Sequence, residues 1–361
     1  MTPKAFSNGG WGASGIFMIT SGILSLLAVR MLVEAGLATK LYSYPLIVEK
    51  TLGQRSRLML EVTIALTQYA FAVSHIVFLI SSWKTSVTSL FGIETEIFPY
   101  AITILIIYTS ISWVRDLAKF SFAFILGVVL IIITTVYVIA YSGWMIAEQG
   151  GAGEGVVFLN EAGYLSTLGF TIYSYEGIGV VMPIMATCDN PQGFKSILSY
   201  AFICLVACYV IFPELVYYAY GSSIDQSIIT EMLPSDSIVV ALMKFGYSLN
   251  LVASFPIIIN PTNAAVERWF CSCLKQKAGT YYWMQNFSRF LVTLSAIVFA
   301  VVLADKLDKF LGLLGSLLCA PLALTFPALV HLKHLAVTRS QKAVDIGVIF
   351  ISTCIFFFCT S

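Results

Sequence analysis

Long apolar runs separated by short polar segments dominate the chain. A transmembrane helix needs about 20 consecutive apolar residues to cross the hydrocarbon core of a bilayer. Ten runs reach or approach that length, and each is continuous rather than alternating, which predicts helices instead of barrel strands. The predicted spans cover residues 11–34, 58–83, 98–114, 120–147, 163–188, 196–220, 237–266, 288–304, 310–332 and 344–361. The pattern therefore predicts an all-α polytopic membrane protein.

The composition agrees with that class. Of the 361 residues, 58% are hydrophobic and 11% are charged, whereas soluble domains carry about 25% charged residues. The net charge is +1 and no basic run occurs, which argues against a nucleic-acid partner. The first partner to expect is the lipid bilayer.

Lysine and arginine residues alternate between two sets of loops. Fourteen of them lie in one set, beginning with Lys40, Lys50, Arg55 and Arg57, and four lie in the other set. Cytoplasmic loops carry the excess of positive charge, so the richer set is predicted to be cytoplasmic. The segment 1–10 then lies on the opposite side, which is unusual for an unprocessed N-terminus and first suggests a missing upstream segment.

Motifs for catalysis or metal binding are missing from the sequence. The chain has no Gly-rich phosphate loop, no His-Glu-x-x-His and no Gly-x-Ser-x-Gly. Cys271-Ser-Cys273 lacks the second half of a metal-ligand set. We therefore expect neither an enzyme nor a cofactor.

The fifth span contains polar and helix-weakening residues at its centre, Tyr173-Ser174-Tyr175-Glu176-Gly177-Ile178-Gly179. Glycine weakens a helix, and Pro183 removes a backbone donor one turn later. In lipid, a broken helix is tolerated where it is buried in protein or lines a wet cavity. Half-helix ends there offer a positive dipole to anionic groups and free carbonyls to cations, which suits a free amino acid. The alternative is a kinked helix whose glycines only allow close packing.

Other polar residues within the spans carry weaker signals. His75 predicts a hydrogen-bonded side chain more than a proton relay. Glu214 is a candidate for ion coupling, or for snorkelling or helix packing, and the stem of Lys244 is expected to reach the membrane interface. Glu267 predicts a cytoplasmic gate or a helix-end pair. The small residues 312–316 predict close helix packing.

The pattern Glu176-Gly177-x-Gly179-Val180-Val181-x-Pro183, followed by Asn190-Pro191-x-x-Phe194, resembles the amino acid/auxin permease family. The branch that it is most similar to contains the proton-coupled and vacuolar neutral amino acid transporters. Weaker matches occur along nearly the whole chain, at Thr67-Gln68-Tyr69, at Ile111 to Ser121 (including Arg115, Asp116 and Lys119), at Tyr247 to Pro256 and at Glu267.

The resemblance implies the LeuT-type inverted-repeat fold of the APC superfamily. This fold has two five-helix repeats of opposite topology, with the first and sixth helices broken at the binding site, and one added helix. Mapped onto this single transmembrane domain, 1–10 is the remnant of the first broken helix, 11–147 the rest of the first repeat, 163–332 the second repeat and 344–361 the last helix. About ten of eleven expected spans are then present.

The implied function is secondary active transport of neutral amino acids with protons, by alternating access around a broken helix at 173–180, in a vacuolar, lysosomal or plasma membrane. The implied substrate-binding residues are Tyr173, Ser174, Tyr175, Gly177, Gly179, Gln68 and Tyr69. Glu176, Glu214 and Glu267 are the implied ion-coupling or gating residues. Two alternatives stay open: a membrane protein of transporter origin that acts as an amino acid sensor or interaction partner, and a transporter whose recorded sequence lacks an upstream segment.

Overall fold

The computed structural model describes residues 1–93, 96–115, 121–225, 228–234, 238–271 and 278–359. Within these ranges the chain is helical and contains no β-strand. The α-helices of these ranges are α1 (Thr2–Gly9), α2 (Trp11–Thr39), α3 (Tyr44–Leu52), α4 (Gln54–Phe91), α5 (Ile97–Ser112), α6 (Ser121–Gln149), α7 (Tyr164–Ser174), α8 (Ile178–Ala186), α9 (Phe194–Tyr220), α10 (Ile238–Cys271), α11 (Ala278–Leu303), α12 (Leu307–Leu314), α13 (Phe326–His334) and α14 (Arg339–Phe358). Residues 116–120 of the motif noted above, and Cys273, lie outside the described ranges.

The predicted spans are confirmed as helices. In the described part of the chain, nine helical segments are long and apolar enough to cross a membrane. They match every predicted span except the third, whose helix α5 has only 16 residues. The predicted boundaries differ from those of the helices by up to ten residues: the span predicted at 196–220 is α9, whereas α11 begins at Ala278 and not at 288. The chain is a multi-pass membrane protein.

The polar segment at the start of the sequence is also helical. After α1 the chain turns at Gly10, which has φ +84°, and α2 begins at Trp11. A Cβ atom at Gly10 would lie 2.7 Å from the carbonyl oxygen of Phe158, so the turn requires glycine. The backbone N–H groups of Trp11 and Gly12 donate to the carbonyls of Val157 and Phe158, at 3.0 and 3.1 Å. These bonds satisfy donors that a helix start leaves free.

The chain divides into two compact units. Unit 1 comprises Met1–Ile64, Met145–Asp225 and Asp308–Ser361. Unit 2 comprises Ala65–Trp144 and Gln226–Leu307. Two of the boundaries between them fall within α4 and α6, and another follows the first residue of α12.

Helix α2 is the centre of unit 1 and packs against α7, α9 and α13. Small residues allow this close approach, as in other membrane helix pairs. A Cβ atom at Gly22 would lie 2.5 Å from the side chain of Val206 on α9. On the face towards α7, the hydroxyls of Ser21 and Thr171 are 2.8 Å apart.

The small residues at 312–316 are predicted to allow close helix packing, and in the structure they pack against α7. A Cβ atom at Gly169 would lie 2.2 Å from the carbonyl oxygen of Gly312, and one at Gly315 would lie 1.8 Å from the carbonyl oxygen of Gly169. The two backbones therefore touch. Beyond the crossing, two π-helical segments, Gly315–Cys319 and Pro321–Thr325, join α12 to α13.

Unit 2 is built on α5, α10 and α11, which pack against one another. Its buried core contains Tyr108 of α5, whose ring stacks on Phe255 of α10 with 3.7 Å between the ring centroids. The hydroxyl of Thr262 donates to the carbonyl of Ala65 at 2.7 Å and ties α10 to α4.

Candidate functional site: a broken helix and its carboxylates

The fifth predicted span is broken in the structure. Helix α7 ends at Ser174 and α8 begins at Ile178, so Tyr175, Glu176 and Gly177 lie between two half-helices. The N–H groups of Tyr175 and Glu176 donate to carbonyls three residues earlier, at 3.2 and 3.1 Å. Such tighter turns are common at helix ends. The backbone of Gly177 is extended, with φ 173°, and the break lies within the segment that the sequence predicts.

The two glycines at the break do not serve close packing. A Cβ atom at Gly177 or Gly179 would meet nothing within 4 Å among the described residues. Gly169 and Gly315, by contrast, lie against backbone atoms. The interpretation of a kinked helix whose glycines only permit packing is therefore wrong for this segment, and both glycines are exposed.

Glu176 lies at the N-terminus of α8. Its Oε2 atom accepts a weak hydrogen bond of 3.4 Å from the N–H of Ile178. A carboxylate at this position is favoured by the positive end of the helix dipole. Burial, and next the charge of Glu176, raise the pKa of Tyr44 on α3 well above its ordinary value. Glu176 therefore contributes one weak hydrogen bond to the start of α8.

The predicted substrate-binding side chains before the break point in different directions. The hydroxyl of Ser174 donates to the carbonyl of Phe170 at 2.9 Å, within α7. The ring of Tyr175 is buried and lies 5.5 Å from the ring of Tyr209 on α9. The Tyr175 hydroxyl is buried without a hydrogen-bond partner among the described residues. Tyr173 is half-buried beside Phe170, at 5.6 Å between ring centroids.

Glu214 lies on α9, directly after Pro213, and faces α2. Its Oε1 atom is 3.7 Å from the position that a Cβ of Gly15 would take. Its Oε2 atom is buried and has no partner in the described part of the chain. Glu214 also lines an apolar cavity of about 550 Å³, together with Trp11, Val156, Val210, Ile211, Leu215 and Tyr218. Among the described residues Glu214, like Glu176, forms no ion pair with a lysine or arginine.

The other predicted binding residues, Gln68 and Tyr69, lie on α4 in unit 2 and are half-buried. The Tyr69 hydroxyl donates to Ser295 of α11 at 2.9 Å. The Tyr69 ring packs on Phe299 in an edge-on arrangement. Tyr69 is thus fixed against α11 within its own unit.

Glu267, also in unit 2, forms an ion pair between helices. Its Oε1 atom accepts a hydrogen bond from Nε of Arg289 at 2.6 Å, and its Oε2 atom accepts one from Gln285 at 3.0 Å. Arg289 in turn donates to the carbonyl of Ser112 at 2.6 Å. The carboxylate therefore joins α10 to α11 and, through Arg289, to α5, as a helix-end pair would.

The structure contradicts the predictions for Lys244 and His75. Lys244 does not extend towards an interface: its side chain is 4% exposed and lies 3.5 Å from Glu231, which is equally buried. Ser82 donates to the same carboxylate at 3.2 Å. The Nδ1 atom of His75 is buried without a partner among the described residues, so the predicted hydrogen-bonded histidine is wrong at that atom. Sequence could not reveal the Glu231 pair, because Glu231 lies in a short 3-10 helix between two spans and only the packing brings it to Lys244.

The candidate residues are thus divided between the units. Unit 1 holds Tyr173, Ser174, Tyr175, Glu176, Gly177, Gly179 and Glu214, and unit 2 holds Gln68, Tyr69 and Glu267. Within unit 1, all of these residues except Glu214 lie in the segment 173–179, at or beside the break. Among the described residues no cluster of His, Cys, Asp or Glu has the arrangement of a metal site.

The whole chain, residues 1–361, matches the family model for transmembrane amino acid transporter proteins. It is 27% identical to vacuolar amino acid transporter 3 of Saccharomyces cerevisiae over 94% of this chain and 50% of the relative. It is 26% identical to vacuolar amino acid transporter 4 of the same yeast, over 92% and 50%. It is 24% identical to amino acid transporter AVT3B of Arabidopsis thaliana, over 96% and 84%. The chain spans about half the length of these yeast relatives. The chain belongs to the transmembrane amino acid transporter protein family.

Proposed function

We propose that this chain moves neutral amino acids across a membrane together with protons, by alternating access around the break between α7 and α8. The observation that carries the proposal is the pair of glycines Gly177 and Gly179, exposed at a helix break with open space beside both. Broken helices of this kind hold the substrate in many secondary transporters. The names of the yeast relatives support an amino acid as the substrate and a vacuolar membrane as the location.

The chemistry of the break suits a zwitterion. The N-terminus of α8 presents backbone N–H groups and a positive dipole to a carboxylate, and the C-terminus of α7 presents carbonyls to an ammonium group. Glu176 is the single charged residue between Tyr164 and Ala186. A substrate side chain without charge therefore fits this segment best. The hydroxyls of Tyr173 and Ser174 are the proposed further substrate contacts in unit 1; Gln68 and Tyr69, in unit 2, stay predictions from the resemblance.

Proton coupling is assigned to Glu176 and Glu214. Both are carboxylates inside spans, and among the described residues neither forms an ion pair with a lysine or arginine. Burying a charged carboxylate in lipid surroundings costs much more free energy than burying the neutral acid. A carboxyl group inside a span is therefore suited to take up and release a proton during transport. Glu267 is already paired with Arg289, and we propose that this pair holds helix ends during gating.

The test is uptake of radiolabelled neutral amino acids into proteoliposomes that contain the full chain, with an imposed pH gradient. Gly177→Leu and Gly179→Leu should each lower uptake at least tenfold, because a bulky side chain would fill the space beside the break. Gly347→Leu is the matched control: its Cβ also meets nothing within 4 Å, but it lies in α14. Full uptake by both break variants would contradict the proposed site.

Proton coupling is tested in the same vesicles. Glu214→Gln and Glu176→Gln should each remove the stimulation of uptake by a pH gradient, because glutamine cannot carry a proton. Substrate exchange at equal pH should survive in at least one of them. If saturable uptake is absent from the unmodified chain itself, transport is wrong and a sensor function is favoured.

A further inference from the structure

A polar cavity of about 530 Å³ opens at one end of unit 1. Its walls come from α1, from the segment that joins α6 to α7, and from residues at and after the end of α9. By the alternation of charged loops, this end of the spans is predicted to face away from the cytoplasm. The volume lies within the range of small-molecule sites, about 300–1,000 Å³. The polar side chains that line the cavity include Lys4, Ser7, Asn8, Asn160, Glu161 and Ser222.

Hydrogen bonds between segments that are far apart in the sequence hold the walls in place. The ammonium group of Lys4 donates to the carbonyl of Ile224 at 2.6 Å and joins α1 to the segment after α9. The backbone N–H of Asn160 donates to the carbonyl of Gly9 at 3.0 Å and joins the segment before α7 to the end of α1. The shape of the cavity is therefore set by contacts between three separate segments.

Two glycines bring the segment before α7 directly against its neighbours. A Cβ atom at Gly163 would lie 2.3 Å from the carbonyl oxygen of Asn8, and one at Gly155 would lie 2.6 Å from the hydroxyl oxygen of Ser222. A side chain at either position would push the walls apart. The sequence of this segment is therefore compatible with the walls at their present distance.

Two charged side chains line the cavity, and their charges are opposite. An ammonium group has three N–H donors, and Lys4 uses one of them on Ile224. Glu161 is exposed and forms no ion pair among the residues that the structure describes. The cavity therefore offers donors from a cation, acceptors from a carboxylate, and uncharged amide and hydroxyl groups.

A ligand with a single charge fits this lining poorly. An anion is attracted by Lys4 and repelled by Glu161, and for a cation the signs are reversed. A zwitterion can use both residues, with its carboxylate on Lys4 and its ammonium group on Glu161. Hydrogen bonds between ionised groups are stronger than those between neutral ones. A free amino acid with an uncharged side chain has these two groups and no further charge.

We propose that this cavity binds a zwitterionic amino acid, as a second site apart from the break between α7 and α8. Ten residues of α7 separate Tyr164, at its start near Glu161, from Ser174 at the break, a distance of about 15 Å along the helix axis. One amino acid cannot occupy both places. The cavity holds substrate on the non-cytoplasmic side before it enters the break or after it leaves. The identity of the ligand rests on the proposed function, because that function names the amino acid as substrate.

The test is equilibrium binding of tritiated alanine to the purified full chain in lipid nanodiscs. We expect two molecules of alanine per chain at saturation, and one in Gly177→Leu, where the cavity alone remains. Added to Gly177→Leu, Glu161→Lys should weaken the remaining binding at least tenfold by reversing a charge, and Ser7→Phe should do so by filling the cavity. Glu148→Lys and Ser223→Phe are the matched controls: both positions are exposed and outside the lining, and both variants should keep the bound alanine.

Compounds that carry only one of the two charges test the chemical class. In Gly177→Leu, N-acetylalanine lacks the ammonium group and alaninamide lacks the carboxylate. Each should compete with tritiated alanine at least tenfold more weakly than unlabelled alanine does. Equal competition by either compound would overturn the inference.

The outcomes separate this inference from the proposed function. If Gly177→Leu removes all bound alanine, or if Glu161→Lys and Ser7→Phe change nothing, the cavity site is wrong and the site at the break is unaffected. If Glu161→Lys removes one bound molecule and Gly177→Leu removes none, the cavity site is supported and the site at the break is wrong. A chain that binds no alanine overturns the cavity site, and transport is then decided by the uptake assay.

Discussion

The contact between α7 and the segment after α12 gives the sharpest prediction from the structure. In Gly315→Ala the new Cβ atom would lie 1.8 Å from the carbonyl oxygen of Gly169 and 3.1 Å from the Cβ of Tyr173. Carbon and oxygen atoms that touch settle at about 3.3 Å, so the two backbones must separate by roughly 1.5 Å. Neither atom belongs to a flexible side chain, so rotation of a side chain cannot relieve the clash.

The magnitude follows from two opposing effects. Alanine in place of glycine favours a helix by about 1 kcal/mol. Overpacking by one methyl group costs about 1–3 kcal/mol even where side chains can adjust, and backbone contact places this site at the upper end. We therefore expect a net loss of about 2 kcal/mol in the free energy of unfolding.

The assay is thermal unfolding of the purified full chain, followed by the fraction that remains monodisperse in size-exclusion chromatography after heating. Gly347→Ala is the control, because it gains the same methyl group in a helix of the same unit with nothing within 4 Å. Gly315→Ala should lose the folded fraction at a clearly lower temperature than Gly347→Ala. Equal unfolding temperatures would refute the reasoning that these backbones touch.

Three other substitutions test polar contacts, two of them buried and one at an exposed helix start. Lys244→Met should destabilise the protein by about 3–5 kcal/mol, because it leaves Glu231 charged and buried, and addition of Glu231→Gln should recover most of that loss in the same unfolding assay. Arg289→Met should cost about as much for the same reason, since Glu267 is only 12% exposed, and an unchanged unfolding temperature would contradict its structural role. Thr338→Ala removes the α14 cap and should cost about 1 kcal/mol, detected as faster amide exchange in the first turn of α14 than in the unmodified chain.

The sequence was sufficient for the local features of the fold. Continuous apolar runs predict the spans because each helix must satisfy its own backbone in lipid. Glu176 with Gly177 and Gly179 predicts the break, because that signal is contained in a few consecutive residues. The segment after Met1 shows the limit of this approach: its polar composition does not predict a span, and only the family resemblance assigns it to a helix; in the structure α1 covers Thr2–Gly9.

Contacts between residues that are far apart in the sequence could not be predicted from the sequence. Glu34, Lys195, His331 and Asp345 are spread over more than 300 residues, and only the packing of their helices brings their charges together. The prediction for Lys244 is wrong for the same reason, because a lysine near a helix end has the same local sequence whether it reaches water or a buried partner. Hydropathy locates a span, but it does not reveal which side chains face each other.

Unit 1 contains glycines in close backbone contact and glycines beside open space, and the two kinds affect its movements differently. Gly169 fixes α7 against its neighbour by backbone contact, whereas Gly177 and Gly179 leave space beside the start of α8. Pro183 also removes a backbone donor from α8. We therefore expect α8 to move at the break and α7 to stay in place. Hydrogen exchange should then be faster in α8 than in the buried half of α7, and the difference should shrink in Gly315→Ala, which loosens α7. Equal protection of both half-helices in the unmodified chain would contradict this division of roles.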